Sequence, residues 1–255
     1  MDPVDLDQID TWPEEIVLFL EATATELRAE RLADHKYTLS DTMHRLLNPS
    51  PPMHRWDEAK ALITPAMANR DLRAFHATRL VDFESIRENG LLRLNPERDI
   101  LRLKAALAVH MSPSEVMQVD AAVSKMIEAD SHFVRREGAV WMTPLRRFLH
   151  NGGCEVFFES FGGKAVERIA DYAGGKLGAT LKQVGHPAVV VARFPAYGWC
   201  RFTEHRLPQS MIELYLEDQG DWEPMDYSWD IMIQRDIPRE AIEAVVRSDD
   251  PMVSD

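Results

Sequence analysis

The stretch HPAVVVARFPA at 186–196 is the feature that most constrains how this chain folds. Its apolar residues are continuous rather than alternating, and a proline lies near each end. A run of this kind is typical of a strand that is covered on both faces. The chain is therefore expected to contain a sheet with at least one buried strand.

Other segments are predicted as strands or helices from their apolar spacing. The predicted strands are 72–80, GAVWMTP at 138–144, MIELYLED at 211–218 and SWDIMIQRDIP at 228–238. The predicted helices are 83–89, 97–136, part of 154–175 and PREAIEAVV at 238–246. Because the later strands follow one another without long helices between them, the pattern predicts an α+β fold with a largely antiparallel or mixed sheet.

The first 70 residues are predicted to be helical. Helices are expected to begin near Pro13, after Ser40-Asp41 and near residue 55, and NPSPP at 48–52 breaks the chain. The predicted organisation is a helical acidic extension at 1–70, an α+β domain at 71–248 and an acidic tail at 249–255.

Charge is distributed unevenly along the chain, whose net charge is −13. Residues 1–34 hold ten acidic and two basic residues, and residues 213–255 hold thirteen and three. Residues 35–212 are slightly positive, with 19 acidic and 24 basic residues. The ends are either solvated surface or a cover for an anion-binding core. The negative net charge disfavours nonspecific binding to nucleic acid, but it is compatible with a local basic groove.

Composition also gives an expected compartment. No apolar run approaches the ~18 residues of a membrane span, and the acidic N-terminus does not resemble a signal peptide. The protein is therefore expected to be cytoplasmic, with no membrane partner. Cys154 and Cys200 lie far apart in the sequence and are expected to be free structural thiols.

Common catalytic motifs are absent. There is no phosphate-binding P-loop, G-x-G-x-x-G, HExxH or CxxC, and no metal site is predicted. His150 and Cys154 leave a thiol nucleophile as one alternative. No G-x-S-x-G elbow supports a serine hydrolase.

FHATRLVDFESIRENGL at 75–91 is the stretch that points to a site. His76 and Thr78 lie near the end of a predicted strand, before a helix that begins near Asp82 and closes at Asn89-Gly90. A histidine at such a junction can donate a ring N–H to a ribose hydroxyl. The alternative is a partly buried structural histidine.

This stretch resembles the ADP-ribosyltransferase superfamily, particularly the DNA-targeting ADP-ribosyltransferase toxins and the tRNA 2′-phosphotransferases. In these families a strand ends in His-x-Thr, and a helix and a Gly-Leu turn follow. The resemblance implies an ADP-ribosyltransferase-like sheet over 71–248. It also implies that His76 binds the ribose of NAD and that Thr78 lies beside it in the pocket wall.

Two later stretches fit the same resemblance. In the family a second strand carries a tyrosine that stacks on nicotinamide; here GAVWMTP supplies Trp141, with Phe157 or Phe158 as alternatives. A third strand begins with a glutamate and runs into a proline turn. WDIMIQRDIPREAIEAVV places Asp230 there, one methylene shorter than glutamate, whereas FTEHRLPQSMIEL offers Glu204.

The resemblance implies NAD-dependent ADP-ribosyl transfer to a protein or nucleic-acid acceptor, with release of nicotinamide. A carboxylate beside the ribose would stabilise the oxocarbenium-like transition state, and an aromatic ring would support the planar leaving group. Two alternatives stay open. One is a non-catalytic NAD- or nucleotide-binding domain on the same fold. The other is an interaction protein that docks a protein partner through the acidic N-terminal helices.

Overall fold

The computed structural model describes residues 2–129, 137–150, 154–173, 175–220 and 230–253, and the fold is α+β as predicted. The chain divides into two compact units. Unit 1 comprises Met1–Leu72 and Pro195–Ser228, and unit 2 comprises Arg73–Phe194 and Trp229–Asp255. The sequence suggested one boundary near residue 70, whereas unit 1 also includes the later segment 195–228.

The described α-helices and strands are numbered here in chain order. The helices are α1 (Glu14–Leu39), α2 (Thr42–Leu47), α3 (His54–Met67), α4 (Glu84–Asn89), α5 (Pro96–Leu107), α6 (Pro113–Ala129), α7 (Glu155–Glu159), α8 (Gly163–Ala173), α9 (Gly175–Leu181) and α10 (Arg201–Asp218). The strands are β1 (Asp71–Leu80), β2 (Val140–Met142), β3 (His186–Pro195), β4 (Ile231–Ile233) and β5 (Ile242–Arg247). Short 3₁₀ turns cover Ile9–Thr11, Arg146–Phe148 and Arg239–Ala241.

Unit 1 is built from α1, α2, α3 and α10, and it confirms the three helices predicted before residue 70. The α1 helix packs on α3 and α10 through a fully buried row that includes Ile16, Leu20 and Leu27. The carboxylate of Asp41 caps α2 by accepting a hydrogen bond of 2.7 Å from the amide of His44.

The strand predicted at 211–218 is wrong, because these residues belong to α10. Its apolar residues are buried on nearly every side, so the period of 3.6 that marks a one-sided helix is hidden. The buried run of α10 includes Leu207, Met211, Ile212, Leu214, Tyr215 and Leu216.

Unit 2 contains a three-stranded sheet in the order β1-β3-β5 and an antiparallel ribbon of β2 and β4. An antiparallel bridge between Phe75 and Thr143 joins β1 to the chain directly after β2. The predicted buried strand is confirmed as β3, in which Ala188 to Ala192 are at most 2% exposed.

The helix predicted at 238–246 is also wrong. Pro238 precedes a single 3₁₀ turn, and the chain then becomes strand β5, with Val245 opposite Val190 of β3. Ile242, Val245 and Val246 are β-branched, and such side chains favour a strand when a neighbouring strand is present to pair with them.

Helices α5, α6, α8 and α9 enclose a second apolar core of unit 2. Its buried residues include Leu103, Leu107, Val119, Val123, Met126, Ile169, Leu177 and Leu181. The glycine at position 90 ends α4 with φ of 74° and so begins the Gly-Leu turn predicted from the sequence.

Two expectations from composition concern membranes and cysteines. Across the described ranges, no helix has both the length and the apolar character needed to cross a membrane. Cys154 is half-buried and Cys200 is buried, and neither is joined in a disulfide, as expected.

Candidate active site

A cavity of about 680 Å³ lies within unit 2. Its walls come from β1, α4, α5, the Trp141 region of β2, Phe157 of α7, and α8 with the turn before it. All four residues suggested for NAD binding line this cavity: His76, Thr78, Trp141 and Phe157. Residues that are 65 and 81 positions from His76 therefore share one space with it. Phe158, the second phenylalanine considered, is not among the lining residues.

His76 is held in one orientation by the backbone of β2. Its Nδ1 atom lies 2.7 Å from the carbonyl oxygen of Trp141. A carbonyl only accepts hydrogen bonds, so Nδ1 carries the hydrogen and donates it. Burial lowers the pKa of His76, and the bond to the Trp141 carbonyl opposes that shift only in part.

The protonation of His76 decides what it can offer a ligand. Since the lowered pKa keeps the imidazole neutral near pH 7 and Nδ1 carries its one hydrogen, Nε2 is a hydrogen-bond acceptor. The sequence suggested that His76 donates a ring N–H to a hydroxyl. The structure uses that N–H for Trp141, so the neutral ring can offer a hydroxyl only an acceptor, at Nε2.

The three stretches behind the resemblance are adjacent in the structure. His76 bonds to the Trp141 carbonyl, and Trp141 is the register partner of Met232 in the antiparallel ribbon. Trp141 and Met232 are both half-buried, whereas their neighbours on each strand are buried. The alternation shows that Trp141 and Met232 share one face of the ribbon.

The stretch at 75–91 also contacts the stretch at 229–246 directly, through the Gly-Leu turn. Leu91 and Ile237 exchange backbone hydrogen bonds of 2.9 and 2.8 Å. A Cβ atom at Gly90 would lie 2.1 Å from the carbonyl oxygen of Ile237, so only glycine fits at this position. Next to this pair, the carboxylate of Asp236 accepts a 2.8 Å hydrogen bond from the amide of Arg93.

The two candidate carboxylates are placed differently. Asp230 directly precedes β4, is exposed, and is not among the residues that line the cavity. If the alternation of β4 extends by one residue, its side chain lies on the same face as Met232 and Trp141. Glu204 belongs to α10 of unit 1, a helix rather than a strand start, and its side chain lies outside the described part of the structure.

Arg79 is a cavity residue that the sequence did not single out. Its guanidinium donates four hydrogen bonds of 2.6 to 2.9 Å to backbone carbonyls. The acceptors are the carbonyl oxygens of Phe158, Lys182, Val184 and Gly185. No signal in the sequence could have found this arrangement, because backbone carbonyls are present in every residue.

The charge of Arg79 is not cancelled by a carboxylate among the described residues. Burial lowers its pKa, although an arginine stays protonated at neutral pH. A fixed positive charge in a cavity wall favours an anionic ligand.

The structure gives less support to a thiol nucleophile at His150 and Cys154 or to a metal site. The His150 ring stacks on Phe158, with ring centroids 5.7 Å apart. Within the described ranges, no group of three or more His, Cys, Asp or Glu residues is placed to hold a metal ion.

Comparison with known proteins gave no match. No protein family model, no curated protein and no solved structure is significantly similar to this chain. The function is therefore argued from the geometry of the cavity in unit 2.

Proposed function

We propose that unit 2 binds NAD in the cavity beside His76 and transfers the ADP-ribose group to a protein or nucleic-acid acceptor on an ADP-ribosyltransferase-like fold. The observation that carries the proposal is the chain of contacts from His76 to Trp141 and from Trp141 to β4. It supports the proposal because the three stretches of the resemblance are far apart in sequence and adjacent in space.

Each side chain has a role that its geometry allows. His76 Nε2 accepts a hydrogen bond from a ribose hydroxyl and so fixes the sugar in one orientation. The rings of Trp141 and Phe157 cover the planar nicotinamide. Arg79 supplies positive charge that favours the diphosphate, although its N–H groups are committed to carbonyls.

Asp230 is the carboxylate proposed to stabilise the ribosyl oxocarbenium as the bond to nicotinamide breaks. The bond electrons leave with nicotinamide, and the acceptor nucleophile then bonds to the ribose carbon and loses its proton. Asp230 is preferred over Glu204 because it directly precedes β4, the strand that pairs with the Trp141 strand.

A second candidate function is nucleotide binding without transfer. It is favoured by one observation, namely that Asp230 is exposed and does not line the cavity. A binding domain needs His76 and the aromatic wall but does not need the carboxylate.

Binding is tested by calorimetric titration of the whole protein with NAD. We expect saturable binding, and we expect His76→Ala to weaken it at least ~10-fold because the hydrogen bond from the ribose hydroxyl to Nε2 is lost. His186→Ala is the matched control, since His186 begins β3 in the same unit, is exposed and does not line the cavity. Absence of NAD binding by the unmodified protein would refute the transfer function and any role of this cavity in binding NAD.

Transfer is tested by measuring nicotinamide release with protein and with nucleic acid as acceptors. Asp230→Asn should lower the rate on the order of 10²–10³-fold without a similar loss of NAD affinity, and Asp230→Glu should retain activity. Glu204→Gln should leave the rate of nicotinamide release unchanged. NAD binding with no nicotinamide release would favour the binding domain over the transferase.

A further inference from the structure

The α1 helix carries apolar side chains on two opposite faces. The inner face is the buried row of Ile16, Leu20, Thr23 and Leu27, which packs within unit 1. The opposite face carries an outer stripe, defined as Leu18, Ala22, Thr25, Ala29, Leu32, Lys36 and Leu39, and all seven residues are exposed. Leu18, Leu32 and Leu39 are 57%, 49% and 72% exposed.

The spacing of the outer stripe alternates strictly between four and three residues over the length of the helix. This heptad period is the one that places side chains along the seam between two supercoiled helices. Exposed apolar residues that occur singly need no explanation, whereas an ordered row of them indicates a contact surface. The alanines at positions 22 and 29 leave room for larger side chains on a facing helix.

A separate observation concerns charge along the same helix. The first half of α1 exposes Glu14, Glu15, Glu21 and Glu26. The end of α1 and the following α2 expose Lys36, His44 and Arg45, with Asp41 as the acidic residue exposed among them. Within the described part of the chain, Glu14, Glu15 and Lys36 take part in no ion pair. The acidic half of this surface is therefore complementary to its own basic end.

We propose that a second copy of this chain covers the outer stripe, with the two α1 helices antiparallel. In this arrangement Ala22 faces Leu39 of the second copy, and Ala29 faces Leu32 of the second copy. Each small residue thus meets a large one, and Leu18 reaches Met43 of the second copy, which is 62% exposed in α2. The glutamates of one helix also lie beside the basic end of the other. The proposal does not depend on the function proposed for unit 2.

Sedimentation equilibrium of the full chain tests the proposal. We expect a dimer whose dissociation constant rises at least ~100-fold in Leu32→Glu, since each dimer would bury two uncompensated carboxylates. Leu101→Glu is the matched control, because Leu101 is 66% exposed on α5 and lies outside the stripe. It should leave the dissociation constant unchanged.

The orientation of the helices is tested by Lys36→Glu, with Lys36→Met as its control. In the antiparallel pair this residue lies beside the glutamates of the second copy, so reversing its charge should weaken the dimer ~10-fold or more, and the loss should shrink at high salt. In a parallel pair Lys36 faces its own copy, and reversing both charges would change little.

Three results would overturn the proposal. They are a monomer at all accessible concentrations, a dimer that responds equally to Leu32→Glu and Leu101→Glu, and a dimer indifferent to Lys36→Glu. Circular dichroism shows whether each variant is folded; the four substitutions lie at three exposed positions, so an unchanged spectrum is expected.

Discussion

The two units hold a poorly exposed arginine in opposite ways. In unit 1, Arg31 pairs with Asp34 at 2.9 Å and with Glu213 at 3.0 Å, and it lies over the ring of Trp56. In unit 2, Arg79 is held by four backbone carbonyls. The first arginine is neutralised by its neighbours, whereas the second keeps its positive charge beside a cavity.

The overall charge of the units follows the same division. Unit 1 contains 21 acidic and 9 basic residues, and unit 2 contains 21 and 20. Almost all of the net negative charge therefore belongs to the helical unit. An anionic ligand such as NAD meets little general repulsion from unit 2, and the local charge of Arg79 favours it. Arg31 is therefore neutralised within its own unit, whereas the charge of Arg79, besides holding four carbonyls, favours an anion in the cavity.

The largest expected effect comes from breaking the ion cluster of unit 1. Arg31→Met leaves the carboxylate of Glu213, whose side chain is 1% exposed, without the guanidinium. We expect a loss of about 3–5 kcal/mol in the free energy of unfolding, measured in urea.

The control for this prediction is the double variant Arg31→Met with Glu213→Leu, which should recover most of the loss because neither charge is then buried alone. A single variant that costs less than about 1 kcal/mol would show that the Arg31 cluster is not structural.

A somewhat smaller effect is expected from Arg79→Met, which removes all four hydrogen bonds to carbonyls. We expect a loss of about 2–4 kcal/mol and faster hydrogen exchange at residues 182–185. Arg79→Lys should recover only part of the stability, because an ammonium lacks the fork of donors that reaches several carbonyls. Unchanged exchange in this segment would contradict the assigned role of Arg79.

The contact between the Gly90-Leu91 turn and Ile237 is tested by comparing two glycines. Gly90 and Gly138 both have φ of 74°, but only Gly90 lies against another backbone segment. Gly138→Ala should cost about 1 kcal/mol for its conformation alone, and Gly90→Ala about 2–3 kcal/mol because it also displaces Ile237. If both variants lose the same free energy of unfolding, the hydrogen-bonded pair of Leu91 and Ile237 does not contribute to stability.

The smallest expected effect is a pH dependence that belongs to His76. Because burial lowers its pKa in the folded protein, the unfolded chain binds the proton more tightly. Stability should therefore be full above the ordinary value of about 6.5 and should fall as the pH decreases below it.

His76→Gln keeps a donor for the Trp141 carbonyl and should remove this contribution to the pH profile. His54→Gln, at an exposed position of unit 1, is the control and should leave the profile as it is. Identical profiles for the unmodified protein and His76→Gln would contradict a neutral imidazole whose pKa is lowered in the folded protein.

Much of the fold was accessible from the sequence where local signals agreed with the tertiary structure. The continuous apolar run of β3, the Ser40-Asp41 helix start and the Gly90 turn each follow from a few neighbouring residues. The predictions were wrong where packing decided the element. Burial on all sides hides the period of α10, and pairing with β3 turns the segment after Pro238 into a strand rather than a helix.

The candidate site shows the same limit. The sequence located His76, Thr78, Trp141 and Phe157, which share one cavity. It did not give the direction of the His76 hydrogen bond, because the partner is a backbone carbonyl 65 residues away. Arg79 was missed for the same reason. The choice between Asp230 and Glu204 depends on tertiary placement and could not be made from residue type and spacing alone.

The central claim is that a ribose hydroxyl of NAD donates a hydrogen bond to the Nε2 atom of His76. Nitrogen NMR of histidine-labelled protein tests this claim most directly. The His76 signals are assigned by their loss in His76→Gln. Addition of NAD should shift the Nε2 resonance as it begins to accept a hydrogen bond, while Nδ1 stays protonated on the Trp141 carbonyl. Saturable NAD binding that leaves both His76 resonances unchanged would contradict the account.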